Sequence, residues 1–463
     1  MRIFGHHVSR AATLLAGFEI LLVYACLQLA LILTSDTPQV KTLPHLEALA
    51  AAITVVIAMS VMGLYERQKQ ALLGITGIAD ALRLILGVLL GAFIVKFFNI
   101  FVLQTPFVST STLALGAGLA IIALLGERRL YRSMRQLEIF KRRVIILGSG
   151  TRALAVGSTH GGQTPYEILS YVALPGETST DVPMDDIRRL QPGESLLDLA
   201  REMRAEEIVV AVRDRRGSLP IRQLLECKLQ GITVTDISSF FEREQHQLPL
   251  DSLNTSWLVF GSGFRQSWFG NVVKRSFDLV ASAVLLVLAL PIMLFTMIAI
   301  RIEGPGPILY WQTRIGRANR PFEICKFRSM RPDAEKDGQA RWASGKDDRV
   351  TRVGRVIRKL RIDEVPQVFN VFKGEMSFVG PRPERPVFVD QLSEQIPYFL
   401  ARHSIRPGIT GWAQVRYPYG ASVEDAKQKL QYDLYYLKNH TLFLDLVILL
   451  ETVKVVLFGR GAR

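Results

Sequence analysis

The sequence predicts a membrane protein in three parts. These are an N-terminal four-helix transmembrane bundle, a cytoplasmic Rossmann-like α/β domain, and a C-terminal α-rich domain that is monotopic, with a re-entrant helix. Three observations carry this. Apolar windows near the roughly 20 residues that cross a bilayer recur at 11–33, 48–65, 84–103 and 107–126. Between 144 and 236, short β-branched runs alternate with charged helical segments. From 273 onward, charged residues gather in compact motifs around one further apolar run at 276–300. The boundaries that follow are 1–130 for the bundle, 142–240 for the α/β domain, 241–272 for a linker rich in Ser, Gly, Gln and aromatics, and 273–463 for the remainder.

With 463 residues, two or three domains can each bury a core. Hydrophobic residues make up 49%, and Lys+Arg exceed Asp+Glu by 56 to 42, a net charge of +14. In so apolar a chain that excess points to cytoplasmic loops and anionic headgroups. No basic–aromatic recognition motif redirects it to nucleic acid. Cys26, Cys227 and Cys325 stand far apart, which excludes a disulfide framework or zinc site built on paired spacings. The first apolar run follows Arg2 and Arg10, exceeds a signal-peptide core and lacks a cleavage site, so it reads as a retained anchor.

Charge orients the bundle. Arg67, Lys69 and Arg83 lie between the second and third windows, whereas the loops at 34–47 and 104–106 carry only Lys41. A dense run from Arg128 to Arg143 follows the fourth window. The positive-inside rule places both ends of the bundle in the cytoplasm. Lys96 and Asn99, inside the third window, mark either a polar pathway or a snorkelling side chain.

Val144–Leu147, Ile208–Val212 and Ile232–Thr235 alternate with helical Leu196–Met203 and Ile221–Leu229, the pattern of a small parallel α/β domain. Gly148-Ser149-Gly150-Thr151-Arg152-Ala153 has the form of a dinucleotide fingerprint with Ala in the third glycine position. No acid closes a second strand at the expected distance, and Glu177 follows a Pro175-Gly176 turn. A tight turn in a structural or regulatory domain is therefore favoured over a working nucleotide site.

The run at 276–300 has spanning length, but Lys274 and Arg275 precede it and Arg301 follows. After four crossings a fifth would export Lys326, Arg328 and the basic stretch 349–361, against the charge rule. A helix that dips in, kinks at Pro291 and returns resolves this, since an interior proline frees a carbonyl. A spanning helix with a tolerated proline is the alternative. His440–Phe458 is apolar but interrupted by Asp445, Glu451 and Lys454, as in a helix lying in the interface.

Six cations and no acid occupy 349–361, and then Asp363 and Glu364 arrive together. Arginines at every third position rotate around a helix, so Arg352, Arg355, Arg358 and Arg361 cannot all face one site. A purely solvated basic helix is the plain alternative. Asp363 is placed to cap a helix with Pro366 in its first turn and Gly374 at its end. Capping does not explain the adjacent Glu364. Two neighbouring carboxylates make a Mg²⁺ ligand pair that would in turn bind a diphosphate; an ionised Asp is also a nucleophile toward phosphorus, with cations stabilising charge on the transferring group. Gly380-Pro381-Arg382-Pro383 sets an arginine in a stiff turn suited to phosphate. Arg406-Pro407-Gly408-Ile409-Thr410-Gly411-Trp412 does the same, with glycines giving a ligand access. Each motif alone also reads as a turn.

At these residues the chain resembles the bacterial sugar transferases, the polyprenyl-phosphate hexose-1-phosphate transferases. The resemblance runs over 273–463 through Lys274-Arg275-Ser276-Phe277-Asp278, Pro291, Lys326–Met330 and Asp348–Gly354. It continues through Asp363–Gln367, Asn370–Pro383, Arg406–Trp412 and Tyr432-Asp433. The four N-terminal helices and α/β domain are similar to the large exopolysaccharide-type members, and Arg2-Ile3-Phe4-Gly5-His6 looks like the PEP-CTERM-associated subgroup. Leu290 stands where small relatives often carry Ser.

The resemblance implies a re-entrant helix hinged at Pro291, Mg²⁺ held by Asp363 and Glu364, and ping-pong chemistry in the bacterial inner membrane. Asp363 would attack the β-phosphate of a UDP-sugar, releasing UMP, and undecaprenyl phosphate would then take the phosphosugar. Glu364 would hold metal or orient phosphates, and Asp433 and Asp445 would assist the acceptor. Lys326, Arg328, Arg352, Arg358, Arg382 and Arg406 are the candidate phosphate-binding cations. Large relatives suggest a homodimer working with other exopolysaccharide assembly proteins. Two other readings compete: a membrane-anchored nucleotide-sensing scaffold, and an NAD-dependent sugar-modifying enzyme, which the lack of a Tyr-x-x-x-Lys pair within 144–236 disfavours. No residue names the sugar.

Overall fold

The computed structural model describes residues 2–3, 6–7, 10–34, 45–62, 64, 77–100, 109–135, 141–158, 166–174, 181–191, 193–212, 219–250, 268–331, 334, 349–418, 420 and 422–457. Its chain divides into two units, Val8–Arg243, and Glu244–Arg463 with Met1–His7.

The first unit begins with four apolar helices: α1 (Arg10–Thr34), α2 (His45–Val61), α3 (Gly77–Phe98) and α4 (Thr110–Arg135). Each packs on its neighbours, α1 also against α4, closing a ring. Spans in α1, α3 and α4 are long and apolar enough to cross a bilayer; α2, with 17 residues, is shorter. The ring buries Ala30, Ala48, Ala52 and Ala120 and exposes Phe93 and Ile122. Small residues inside and bulky apolar ones outside suit a lipid solvent, where close backbone approach drives association. This is a membrane protein. The fourth window extends beyond residue 126 because Glu19, fully buried on α1, pairs with Arg128 at 2.7 Å, letting the helix carry a cation inward. Lys41, Arg67 and Lys69 lie outside the described residues.

A five-stranded sheet follows, with strands β1 (Arg142–Leu147), β2 (Tyr166–Ala173), β3 (Ile187–Arg189), β4 (Glu207–Val210) and β5 (Thr233–Asp236). All pairs are parallel, in the order β3-β2-β1-β4-β5. Helices α6 (Leu196–Glu202) and α7 (Ile221–Leu229) bury Leu199, Leu224 and Cys227 on one face against Ile145 and Ile208. On the other, α5 (Thr151–Ser158) and α8 (Ile237–Gln245) bury Val156 and Phe240 against Val144 and Val209. β2 and β3 escaped the sequence reading because Glu167 and Ser170 interrupt the first and the second has three residues. The expected linker from 241 starts inside α8, and Leu248 and Leu250 join the core of the second unit.

The second unit opens with α9 (Trp268–Glu303), one helix that continues through Pro291. Its two ends meet the same protein body. Near the start, Arg275 donates to Val371 O and Phe372 O at 2.6 and 2.9 Å. Near the end, Arg328 donates to Ile300 O and Gly304 O at 3.1 and 2.8 Å, satisfying carbonyls that a helix terminus leaves open. Val287, Leu288 and Phe295 point outward, all more than 70% exposed.

An antiparallel hairpin follows, β6 (Leu309–Ile315) and β7 (Pro321–Phe327). Next come α10 (Arg352–Lys359), a 3₁₀ turn (Ile362–Gln367), α11 (Val368–Lys373) and β8 (Ser377–Val379). Beyond these lie α12 (Pro386–Gln395), the 3₁₀ turn Phe399–Ser404, β9 (Gly408–Thr410) and α13 (Trp412–Arg416). α14 (Val423–Asn439) and α15 (Leu442–Leu457) close the unit, whose core gathers Trp412, Leu430, Leu434, Tyr435 and Phe399. On α15 the polar residues face inward: Asp445 meets Lys274 at 2.8 Å, and Glu451 meets Lys454 at 2.8 Å. Leu446 and Val453 are exposed.

In the bundle, a Cβ on Gly91 would sit 2.6 Å from Val55 Cα. Gly91→Leu is therefore expected to force α2 and α3 apart and destabilise the detergent-solubilised protein by about 1–3 kcal/mol. An unchanged thermal midpoint would refute that contact.

Candidate active site

Glu364 sits at the focus of three cations. Lys326, on β7, places Nζ 3.0 Å from Oε1. Arg382, in the turn after β8, reaches the same oxygen at 2.7 Å, with its second nitrogen 3.5 Å from Oε2. Arg361, the left-handed residue that opens the 3₁₀ turn, stands 3.6 Å from Oε2. Burial opposes the charge on Glu364, but Arg382, Lys326 and Arg361 outweigh it and hold the carboxyl well below its usual range. Burial in turn lowers Lys326, with Glu364 opposing the shift.

Asp363, also buried, has the opposite balance. Burial and then the neighbouring Glu364 charge push it up to about 6, against the pull of Lys326, Arg361 and Arg358. Its Oδ1 is enclosed and accepts no hydrogen bond among the described residues. A buried acceptor left open is costly, so this oxygen has the character of a group awaiting a ligand.

Local structure explains the placement. Thr351 caps α10 by accepting from Gly354 N at 2.9 Å. A Cβ at Gly354 would meet Ser329 O at 2.0 Å, so glycine there lets α10 lie on the strand end beyond Lys326. The basic run splits as helical rotation requires: Arg352, Arg355 and Lys359 are exposed, while Arg358 and Arg361 face the site. Asp363 does not cap a helix as expected; it lies inside the 3₁₀ turn, because Arg361 takes the boundary in a left-handed conformation. Gly374, with φ +86°, does end α11. The glycines of the two Pro-containing turns serve each other and not a ligand. A Cβ on Gly408 would fall 2.0 Å from Gly380 N, and one on Gly411 would fall 2.1 Å from Gly380 O. This approach lets β8 and β9 pair in parallel and fixes the Arg382 turn.

The dyad opens onto a cavity of about 480 Å³ whose lining holds eleven cationic side chains and three acidic ones. Such an excess suits a polyanion. Of the expected residues, Asp363, Glu364, Lys326, Arg328, Arg358 and Arg382 line it. Arg328 also spends its guanidinium on the end of α9. Arg352 lies on the exposed face of α10, and Arg406 is not in the lining; burial and the neighbouring Arg275 lower its pKa. Asp433 and Asp445 are buried away from the lining, the first against Arg402 and the second against Lys274 and Tyr436. Arg314, Arg402, Gln414, Tyr417 and Lys429 line the cavity without having been singled out. They lie in stretches with no motif-like spacing, and only the fold directs them inward.

Among the described residues no cluster of three or more His, Cys, Asp or Glu could hold a metal. The dyad alone fits an ion that takes most of its ligands from water and substrate phosphates, as Mg²⁺ does. The open Asp363 Oδ1 is the donor that fits best.

A family model described as bacterial sugar transferase matches residues 269–459, enclosing the whole of this site. A Caulobacter vibrioides protein, a UDP-glucose:undecaprenyl-phosphate glucose-1-phosphate transferase, is 45% identical over 40% of this chain and 69% of its own length. The chain belongs to the bacterial sugar transferase family. A Salmonella typhimurium undecaprenyl-phosphate galactose phosphotransferase is 30% identical over 71% of each chain. An Aeromonas hydrophila UDP-N-acetylgalactosamine-undecaprenyl-phosphate N-acetylgalactosaminephosphotransferase is 45% identical over 52% of this chain and 56% of its own. The chain thus spans about half the length of that relative, as it does (52%) of one from Komagataeibacter xylinus. These relatives carry different sugars in their names, so membership does not select one.

Asp363 keeps its proton to about pH 6 in the folded protein, whereas an ordinary Asp loses it near 3.8. Between those values the folded state holds more protons, so stability falls as pH rises. Asp363→Asn in metal-free buffer is therefore expected to stabilise at pH 7.5 by on the order of 3 kcal/mol, with the gain gone below pH 4. Denaturation midpoints across this range measure it; a destabilised Asn variant at pH 7.5 would contradict the burial cost.

Proposed function

We propose that the protein transfers a sugar-1-phosphate from a UDP-sugar to undecaprenyl phosphate, releasing UMP and starting exopolysaccharide repeat-unit synthesis. The observation that carries this is the open carboxylate of Asp363 beside an ionised, triply paired Glu364 in a cation-lined cavity. The names of its relatives supply the substrate class.

In this reading Asp363, ionised above about pH 6, attacks the β-phosphorus. The bond to the bridging oxygen breaks, UMP leaves with the electron pair, and an aspartyl phosphosugar remains. A phosphate oxygen of undecaprenyl phosphate then attacks the same phosphorus, and the Asp363 carboxylate is regenerated. That acceptor is already anionic near neutrality, so it needs no general base, and we leave Asp433 and Asp445 out of the chemical steps. Glu364 keeps Lys326 and Arg382 pointing at the phosphates, which those cations stabilise as charge moves. Asp363 and Glu364 would hold Mg²⁺, which when bound neutralises diphosphate charge.

We read α9 as re-entrant, with the catalytic unit on the cytoplasmic face of a bacterial inner membrane. Contacts of both helix ends with one protein body support this, as does the basic charge that follows. The order of the parallel sheet supports a Rossmann-like domain. Asp181 takes the Thr151 hydroxyl at 2.8 Å at the start of α5, where a nucleotide phosphate would need positive surroundings. This favours a structural or regulatory role for that domain.

Two measurements test the reading. Purified protein with Mg²⁺, undecaprenyl phosphate and a UDP-sugar panel should release UMP from at least one sugar nucleotide. Asp363→Asn should lower that rate at least about 10³-fold; undiminished turnover removes the nucleophile. Separately, single cysteines before Lys274 and after Arg301 should label from the same side of sealed vesicles. Labelling from opposite sides would make α9 a spanning helix.

A further inference from the structure

Arg382 meets Glu364 only while the turn that carries it stays fixed, and two arginines hold that turn by its carbonyls. Arg314 donates to Pro383 O at 3.1 Å, and Arg402 Nη2 donates to Arg382 O at 3.0 Å. Arg314 has Glu384 nearby at 3.8 Å. The second clamp is far more enclosed. Arg402 is 6% exposed, with its guanidinium 5.2 Å from the centre of the Phe399 ring. The same Nη2 lies 2.8 Å from Oδ2 of Asp433, which is 1% exposed on α14. One nitrogen therefore hydrogen-bonds the backbone of the phosphate-facing turn while its charge is paired with a buried carboxylate.

We propose that Asp433 is a positioning residue: it holds Arg402, Arg402 fixes the Arg382 carbonyl, and the Arg382 guanidinium is thereby aimed at Glu364. The inference rests on reading the Asp363–Glu364 dyad as the reaction centre. Asp433 is absent from the cavity lining while Arg402, its ion-pair partner, is part of it. A buried ion pair is weak as a source of stability, because desolvation cancels most of its attraction. Its effect here is to confine Arg402. It sets one carbonyl, and with it the side chain that grips the dyad, to within the tolerance that phosphoryl transfer demands.

The test uses the full chain in lipid nanodiscs and begins with hydrogen exchange, which needs no turnover. In Asp433→Asn, peptides covering 376–389 should exchange at least about tenfold faster than in the unchanged protein, with the α/β domain unaffected, and Asp433→Glu should restore most of the protection. Unaltered exchange at 376–389 overturns the proposal, whether or not the protein releases UMP. The second arm measures UMP release from UDP-glucose and UDP-N-acetylgalactosamine with undecaprenyl phosphate. Asp433→Asn should lose about 10²-fold in kcat, and Arg382→Ala with Asp433→Asn should be no slower than Arg382→Ala alone. Multiplying losses would overturn the proposal, as would an Asp433→Asn enzyme much slower than Arg382→Ala. If Asp433→Asn does not fold, Arg402→Met with Asp433→Leu removes both charges together. That variant should show the same faster exchange at 376–389, and native protection there would refute the clamp.

Discussion

The site depends on one constraint: the Glu364 carboxylate must stay charged while buried. An isolated ionised carboxyl in such a place would take up a proton instead. Lys326, Arg361 and Arg382 prevent that, and they come from three separate stretches of chain. Meeting the constraint dictates much of the local architecture. The β6–β7 hairpin delivers Lys326, a left-handed Arg361 turns the chain sharply before the dyad, and glycine-to-glycine packing of two short strands fixes the turn bearing Arg382. Asp363 feels the reverse of the same field. Next to that negative charge and with Oδ1 unpaired among the described residues, it is the less comfortable anion of the two.

The second unit treats polarity in the manner of a protein resting against lipid. α9 and α15 bury Asp278, Asp445, Glu451 and Lys454, with Lys274 paired against the first two, and leave Leu288, Phe295, Leu446 and Val453 outside. In water this would be an inverted surface. Against acyl chains it is the low-energy arrangement.

How much of this was legible from residues alone follows from what each signal depends on. The N-terminal windows were readable because apolar length is a property of the segment itself. Asp363 and Glu364 stood out because adjacent acids after an unbroken basic run have no ordinary surface explanation. The cations were harder. Arg382, Arg352 and Arg406 look alike as letters, yet one grips Glu364, one faces solvent and one is packed near Arg275 outside the lining. Direction and burial are set by tertiary packing, which spacing does not encode. The same holds for Arg402, in a stretch without any motif, and for Gly408 and Gly411, whose value lies in their approach to the backbone of Gly380, just beyond another strand. Strand β2 was lost to polar interruptions that only its neighbours make harmless, and β3 to its length of three residues.

The buried carboxylate of Asp278 has a practical consequence. It belongs to α9, yet it accepts from Ser377 Oγ at 3.0 Å and from the Phe378 amide at 3.1 Å, at the start of the strand leading to Arg382. Cutting the chain after Glu303 to obtain a water-soluble fragment would delete that acceptor and leave an enclosed amide and hydroxyl without it. Helix α9 is thus not a detachable tether: it contributes part of the hydrogen-bonded interior of the second unit, and solubility obtained by trimming would come with a misassembled strand.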